Sequence, residues 1–286
     1  PVLVLYLGRM TEQRRRDLAH QCRERPHTVV VIDETLIYFL CTARGSRLPL
    51  MFRCTLPFTV SNPYTIASSN VPVEMFFGRR HERQSLLEPY GSNLVFGGRQ
   101  LGKTALLREV QRRKHAPDEG FAVKLVDLKA EGIGQNRKAQ DIWEVIGATL
   151  REDSIVRPNI SRPDSIKEDI TKWLAADDHR RILLLLDEAD AFLLQDSRDE
   201  TNSYGTVAEL KGLMDSTERR FKVVFAGLHN VQRTARDVNS PIAHLGQPLC
   251  IGPLLQDGEV KEALRLIQHP FEALGYRFAP DVANRI

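Results

Sequence analysis

An α/β fold built on a doubly wound parallel sheet is predicted for this 286-residue chain, and three observations predict it. From Val73 onward, strand-like and helix-like stretches alternate, the pattern of repeated β-α-β units. One strand-like stretch runs through a glycine-rich turn into a helix at Gly97-Gly98-Arg99-Gln100-Leu101-Gly102-Lys103-Thr104, which satisfies G-x-x-x-x-G-K-[ST] at every fixed position. Another, Arg181-Ile182-Leu183-Leu184-Leu185-Leu186, is an apolar run ending in Asp187-Glu188, as expected of a strand covered on both faces.

Taken in order, residues 2–7 read as a buried strand, residues 11–23 as a charged helix with Thr11 as N-cap, and residues 28–32 as a second strand, a βαβ-like beginning. Arg14-Arg15-Arg16 reads as a solvated helix face rather than a DNA contact. Asp33-Glu34 mimics the later acidic pair, but no phosphate loop precedes it, so Asp33 is read as the N-cap of a helix through Leu36-Ile37-Tyr38-Phe39-Leu40. Residues 57–72, rich in Pro, Ser, Asn and Thr, read as a linker. Residues 93–96 form the strand into the glycine-rich turn, and residues 105–110 belong to the helix leaving it. A strand over 121–127 follows, then an amphipathic helix over 139–151 carrying Ile142, Trp143, Ile146 and Leu150. Helices over 165–175 and 207–217 flank the acidic strand, and 221–227 is a further strand. Residues 258–268 and 271–274 read as helical. The resulting division is an α/β N-terminal segment over 1–56, a linker over 57–73, a nucleotide-binding core over 74–252 and the start of a helical lid over 253–286.

The glycine-rich turn carries chemistry because of where it sits. Backbone N–H groups of the turn and of the helix N-terminus converge on an anion, and the helix dipole adds positive potential. Gly97, Gly98 and Gly102 let the backbone approach without a Cβ in the way, while Arg99, Gln100, Leu101 and Ala105 complete the cradle. Lys103 reaches for the β- and γ-phosphates of a nucleotide, and the Thr104 hydroxyl is a Mg²⁺ ligand. Asp187, 84 residues after Lys103, is the second candidate Mg²⁺ ligand, and Glu188 is the candidate base that aligns an attacking water. The C-terminal edge of parallel strands is where such groups meet.

Composition sets bounds. With 27% charged and 42% hydrophobic residues the chain reads as globular, and no apolar run approaches the roughly 20 residues that span a bilayer. Its first residues show no basic leader or cleavage site, so a cytoplasmic protein is expected. The missing initiator Met and the end at Ala283-Asn284-Arg285-Ile286 suggest a segment of a longer protein. Cys22, Cys41, Cys54 and Cys250 lack zinc spacing and read as scattered thiols. Residues 1–74 carry a net +3, residues 75–150 +4 and the remainder −4, which allows a nucleic-acid contact without specifying one.

Together these residues resemble the P-loop ATPases of the AAA+ and STAND groups, including the origin-recognition ATPases. Phe76-Phe77-Gly78-Arg79-Arg80-His81-Glu82 is similar to the F-x-G-R-x-x-E box that precedes the phosphate loop there, and the resemblance places Gly78 and Arg79 near the adenine. Phe225-Ala226-Gly227-Leu228-His229-Asn230 resembles the sensor strand, with Asn230, then His229, at the tip that monitors the γ-phosphate. Gly252-Pro253-Leu254, residues 263–267 and His269-Pro270-Phe271 resemble the stretch entering the lid. The likeness spans about residues 74–286 and implies an ASCE/AAA+-like fold, ATP and Mg²⁺ as cofactors, and Glu188, Lys103 and Asn230 as catalytic groups. It further implies a homo-oligomer on ATP binding, with an arginine from a neighbouring subunit. Arg219, Arg220, Arg233 and Arg236 are candidates, each better read as an ordinary surface charge.

Asp187-Glu188-Ala189-Asp190 also spells the signature of DEAD-box helicases, but no Ser-Ala-Thr motif accompanies it. Asp190 reads instead as an acid at the start of a helix, tied to the Mg²⁺ shell. The implied function is an ATP-driven switch coupled to sensor or effector domains outside this chain, in bacterial defence or stress. The alternative is an ATP-dependent DNA loader of the origin-recognition kind. A purely structural nucleotide site fits poorly with an intact Lys103, Thr104, Asp187 and Glu188. No guanine-reading motif separates GTP from ATP.

Overall fold

Two apolar runs build the centre of the sheet. β5 (Arg181–Asp187) is buried from Ile182 onward, and β6 (Phe221–Gly227) is buried along its whole length. Strands like these can be satisfied only between covered faces, which is the environment of a parallel sheet in a β-α-β array. They pair with β3 (Leu94–Gly97), β4 (Phe121–Asp127) and β7 (Leu249–Ile251) in the order β4-β5-β6-β3-β7, and every pairing is parallel. The result is a doubly wound parallel α/β sheet, with β6 inserted between β3, which leads into the glycine-rich turn, and the acidic strand β5. The computed structural model describes residues 2–14, 17, 18, 21, 29–43, 47–55, 64, 71, 75–228, 241, 247–255, 259–273, 278, 279 and 282.

The chain divides into two compact units, Arg79–Pro253 and the pair of segments Pro1–Gly78 and Leu254–Ile286. In the first unit, α3 (Arg80–Leu87) leads toward β3, and α4 (Lys103–Lys114) leaves the phosphate loop. Lys222 of β6 reaches the C-terminal end of α3 and donates to the carbonyls of Ser85, Leu86 and Glu88 at 3.3, 3.0 and 2.6 Å, answering acceptors the helix itself leaves open. The helix expected over 139–151 is a 3₁₀ turn, Ala139–Asp141, followed by α5 (Ile142–Arg151). Ile142, Trp143, Ile146 and Leu150 all point into the core, and the Trp143 indole N–H finds Glu209 at 3.0 Å. α6 (Pro163–Ala175) starts with proline, whose missing N–H costs nothing in a first turn. Between α7 (Asp190–Ser197) and α8 (Gly205–Ser216), the buried Asp196 carboxylate accepts from the Thr206 and Val207 N–H groups and caps α8.

In the other unit, β1 (Val2–Tyr6) pairs in parallel with β2 (Val29–Asp33). Asp33 accepts from the Leu36 N–H at 2.9 Å and so caps α1 (Glu34–Thr42), as read from the sequence. Thr11 Oγ1 likewise accepts from the Arg14 N–H at 3.3 Å; Arg15 and Arg16 lie outside the described residues. α2 (Arg47–Thr55) follows, and most of the expected linker lies outside the described residues. The two helical stretches expected near the chain's end form one helix, α9 (Val260–Ala273), with Pro270 inside it. Pro270 falls in the last turn, where only the final few residues follow the lost backbone bond. Among the described residues no helix is long and apolar enough to cross a membrane.

Leu185 has no exposed surface and sits in the middle of β5. Leu185→Ala is expected to lower unfolding free energy by about 2–5 kcal/mol through lost burial and the cavity left behind. A urea titration reads this as a lower midpoint at unchanged slope.

Candidate functional site

Parallel register brings the exits of all five strands of this sheet to one edge. Phe96 lies opposite Gly227 and Cys250, Gly97 opposite Ile251, and Asp127 opposite Asp187. Gly97 is required by close approach: a Cβ there would lie 2.3 Å from the Ile251 carbonyl oxygen. Gly102 is required by conformation, at φ 89°, and space beside it is open. Gln100 shares this left-handed region at φ 61°, which curls the loop through Arg99 and Leu101. Leu101 in turn packs where a Cβ on Gly98 would come within 3.1 Å of it.

The first backbone bond of α4 runs from the Leu106 N–H to the Gly102 carbonyl at 2.9 Å. The N–H groups of Lys103, Thr104 and Ala105 therefore project from the helix end toward the loop's concavity. The Lys103 ammonium, mostly buried, donates to the carbonyls of Gly97 at 3.1 Å and Gly98 at 2.8 Å. Its charge thus lies across the loop where a phosphate would need it.

Thr104 Oγ1 donates to Asp187 Oδ2 at 2.6 Å, which joins the phosphate loop to the acidic strand. The second Asp187 oxygen accepts from the Glu188 N–H at 3.0 Å. Burial pushes the Asp187 carboxyl above its ordinary range; the Thr104 hydroxyl and Glu188 N–H oppose this, Asp127 adds to it and Lys103 opposes it. Glu188 is also pushed up, by burial first and then by Asp187, with Lys129 pulling the other way and Asp127 and Asp190 adding. Glu188 stands exposed at φ 52°, a left-handed turn that swings its side chain off the strand line.

The remaining predicted positions fall as follows. Arg79 is left-handed at φ 58° and caps the start of α3; its guanidinium pairs with Glu82 at 2.8 Å and also donates to the Gly252 carbonyl. The R-x-x-E spacing of the box therefore has a local reason, an i,i+3 ion pair at a helix start. Gly78 has φ 70°, and a Cβ there would lie 2.8 Å from Glu259 Oε1. Phe77 of the same box meets the His269 ring edge-on at 6.2 Å, under the Arg265 guanidinium. His229, Asn230, Arg233 and Arg236 lie outside the described residues. Arg219 pairs with Asp215 at 2.8 Å and Arg220 donates to the Leu174 carbonyl at 2.7 Å, both at the N-terminal end of β6, far from the phosphate-loop edge. The Asp190 carboxylate accepts from the Leu228 N–H at 2.6 Å, and the Ala189 N–H donates to the Ala226 carbonyl at 2.9 Å. Asp190 thus opens α7, as expected, and fastens its start to the end of β6.

Two residues at this edge escaped the sequence reading, Asp127 and Lys129. Their signal was the acid ending the β4 run, which became informative only once register placed it beside Asp187. Among the described residues no group of three or more His, Cys, Asp or Glu could cage a metal ion. That suits Mg²⁺ bound with phosphate, which takes one or two protein oxygens and fills its octahedron with phosphate and water. Thr104 and Asp187, oxygens in contact beside the loop, fit that requirement.

No protein-family profile matches the sequence, and no curated protein matches it significantly. Among solved structures the chain is similar to the ORC1 protein of Aeropyrum pernix, determined in complex with DNA, at 18% identity and a TM-score of 0.44. The match covers 74% of this chain and 55% of that one, so the chain spans about half the length of that protein.

Because the folded pKa of Asp187 is raised, this carboxyl favours the fold below its unfolded value, about 4, and that contribution is lost as pH rises through the raised value. At neutral pH the ionised group is a cost. Asp187→Asn can keep both bonds, its oxygen on the Glu188 N–H and its amide on the Thr104 hydroxyl. The nucleotide-free variant is expected to melt a few degrees above wild type at pH 7, and the gap should close toward pH 4 in a thermal-shift series.

Proposed function

We propose that this chain is an ATP-binding and ATP-hydrolysing switch. One observation carries the reading: the contact between Thr104 of the phosphate loop and Asp187 of the acidic strand, which unites two motifs far apart in sequence. Phosphoryl transfer to water needs positioning and charge neutralisation more than covalent chemistry. The loop N–H groups and Lys103 would hold and neutralise the β- and γ-phosphates, and Thr104 and Asp187 would hold Mg²⁺. When bound, Mg²⁺ supplies further charge neutralisation between those phosphates. Glu188, beside this edge with a raised carboxyl pKa, is the group to orient water and accept its proton. The role of Asn230 at the sensor tip, and of Gly78 and Arg79 near the base, follows from the resemblance and is proposed on that ground. ATP-dependent self-assembly, with an arginine contributed in trans, is proposed on the same ground.

Between the two family resemblances, we carry forward the origin-recognition-like one, a DNA-binding ATPase. It is favoured by the net +4 of residues 75–150, the segment that holds the phosphate loop. The STAND-like signalling reading rests on the shared nucleotide motifs and on the lid-entry stretch from Gly252-Pro253-Leu254 to His269-Pro270-Phe271.

Glu188→Gln is expected to retain Mg-ATP binding in calorimetry while hydrolysis drops at least about 100-fold, as when a positioned general base is lost. Unchanged turnover in that variant would remove Glu188 from its role. No heat on titrating Mg-ATP into folded wild-type protein would remove the ATPase reading altogether. Light scattering is expected to give a larger particle with a non-hydrolysable ATP analogue than with ADP.

A further inference from the structure

α3 and α4 lie against one another, and together they gather cations. α3 contributes Arg80 and Arg83, and α4 contributes Arg108, Arg112, Arg113 and Lys114. Arg80, Arg108, Arg113 and Lys114 are exposed. The acid available on α4 is Glu109, which is 4% exposed, and its carboxylate is shared between the guanidiniums of Arg112 and Arg113. The acid on α3, Glu82, is engaged by Arg79 at 2.8 Å. Arg83 faces the same crowd. Burial disfavours its charge first, then Arg113; Glu109 opposes, and Arg80 adds to the repulsion.

Fold stability accounts for part of this arrangement. Arg112, Arg113 and Lys114 occupy the last turn of α4, where cations complement the helix dipole. Arg83 has no such reason. Arg80 is the first residue of α3, at the positive end of the dipole, and Arg83 follows one turn later toward other guanidiniums. Like charges held together against stability point to a partner that relieves them.

We propose that the α3–α4 face docks the sugar-phosphate backbone of duplex DNA. The cations are spread over two helices, which suits a ligand of repeating negative charge rather than one small anion. They are mostly arginines, whose planar fork matches phosphate. Neither helix carries Phe, Tyr or Trp, so the face lacks a platform for stacking unpaired bases and is suited to backbone contact. The face is separate from the phosphate loop: Arg113 lies ten residues after Lys103 on one helix, roughly 15 Å along its axis. α4 therefore begins at the nucleotide and ends at the DNA. This assignment rests on the DNA-binding reading above and supplies the surface for it.

The test is a salt titration of binding to a fluorescein-labelled 30-base-pair duplex of arbitrary sequence, with polyglutamate as a control polyanion. Wild type should bind duplex at 50 mM salt and weaken steeply as salt rises. In the double variant Arg83→Gln/Lys114→Gln, the slope of log affinity against log salt should fall by about two, near 0.9 per phosphate contact, with affinity down about tenfold. Arg83→Gln alone should melt at or above the wild-type temperature, because the fold disfavours that charge, and Mg-ATP affinity should be unchanged in both. Duplex affinity and salt slope that stay at the wild-type values in the double variant overturn the assignment. So does polyglutamate binding as tight as duplex binding, or wild type that binds Mg-ATP but no duplex at 50 mM salt. Failure of Mg-ATP binding alone overturns the ATPase reading, while the duplex titration still decides the basic face.

Discussion

β5 pairs with β4 on one side and β6 on the other, and its side chains from Ile182 to Leu186 are buried. A strand so placed has no room for a charge except at its ends. Asp187 is the first position past the apolar run, and its carboxylate emerges at the sheet's C-terminal edge. Since every strand of this sheet runs the same way, the phosphate loop after β3 emerges at that edge too. The 2.6 Å bond between Thr104 and Asp187 is the meeting of those two consequences. Moving β5 by one residue would turn Asp187 toward the opposite face and break the bond.

The same edge concentrates negative charge. Asp127, Asp187, Glu188 and Asp190 crowd one another, with Lys103 and Lys129 as the counter-charges named by their influence on the acids. Asp127 accepts from the Ala130 N–H at 3.0 Å, and Asp190 holds the Leu228 N–H. Asp187 and Glu188 each have a carboxyl pushed above the usual range. An opposite crowding, of arginines, occupies α3 and the end of α4. In both places the fold holds like charges close, and in both a ligand of the other sign would relieve the repulsion.

Glycine and left-handed residues mark where backbone geometry yields to the site. Gly97 admits the Ile251 carbonyl, and Gly102 starts α4 from a left-handed turn. Arg79 and Glu188 take left-handed conformations without being glycine, at φ 58° and 52°. Each stands at a strand–helix or loop–helix corner, and in each case hydrogen bonds hold the turn: Arg79 through Glu82 and Gly252, Glu188 through Asp187.

Much of this was legible in the chain itself. Period and composition sufficed for β5 and β6, because strands buried on both faces read as unbroken apolar runs, and for α5, because an amphipathic helix repeats its apolar residues every three or four positions. Spacing around Gly97–Thr104 sufficed for the strand, glycine-rich turn and helix there, because that shape is local. β7 is three residues long, too short to carry a period, and α7 presents no clear apolar face because it is packed on several sides. Asp127, the Asp190–Leu228 bond and the gathering of arginines on α3 and α4 were decided by tertiary structure alone. Each joins residues far apart in sequence, and only strand register and helix packing set which of them become neighbours.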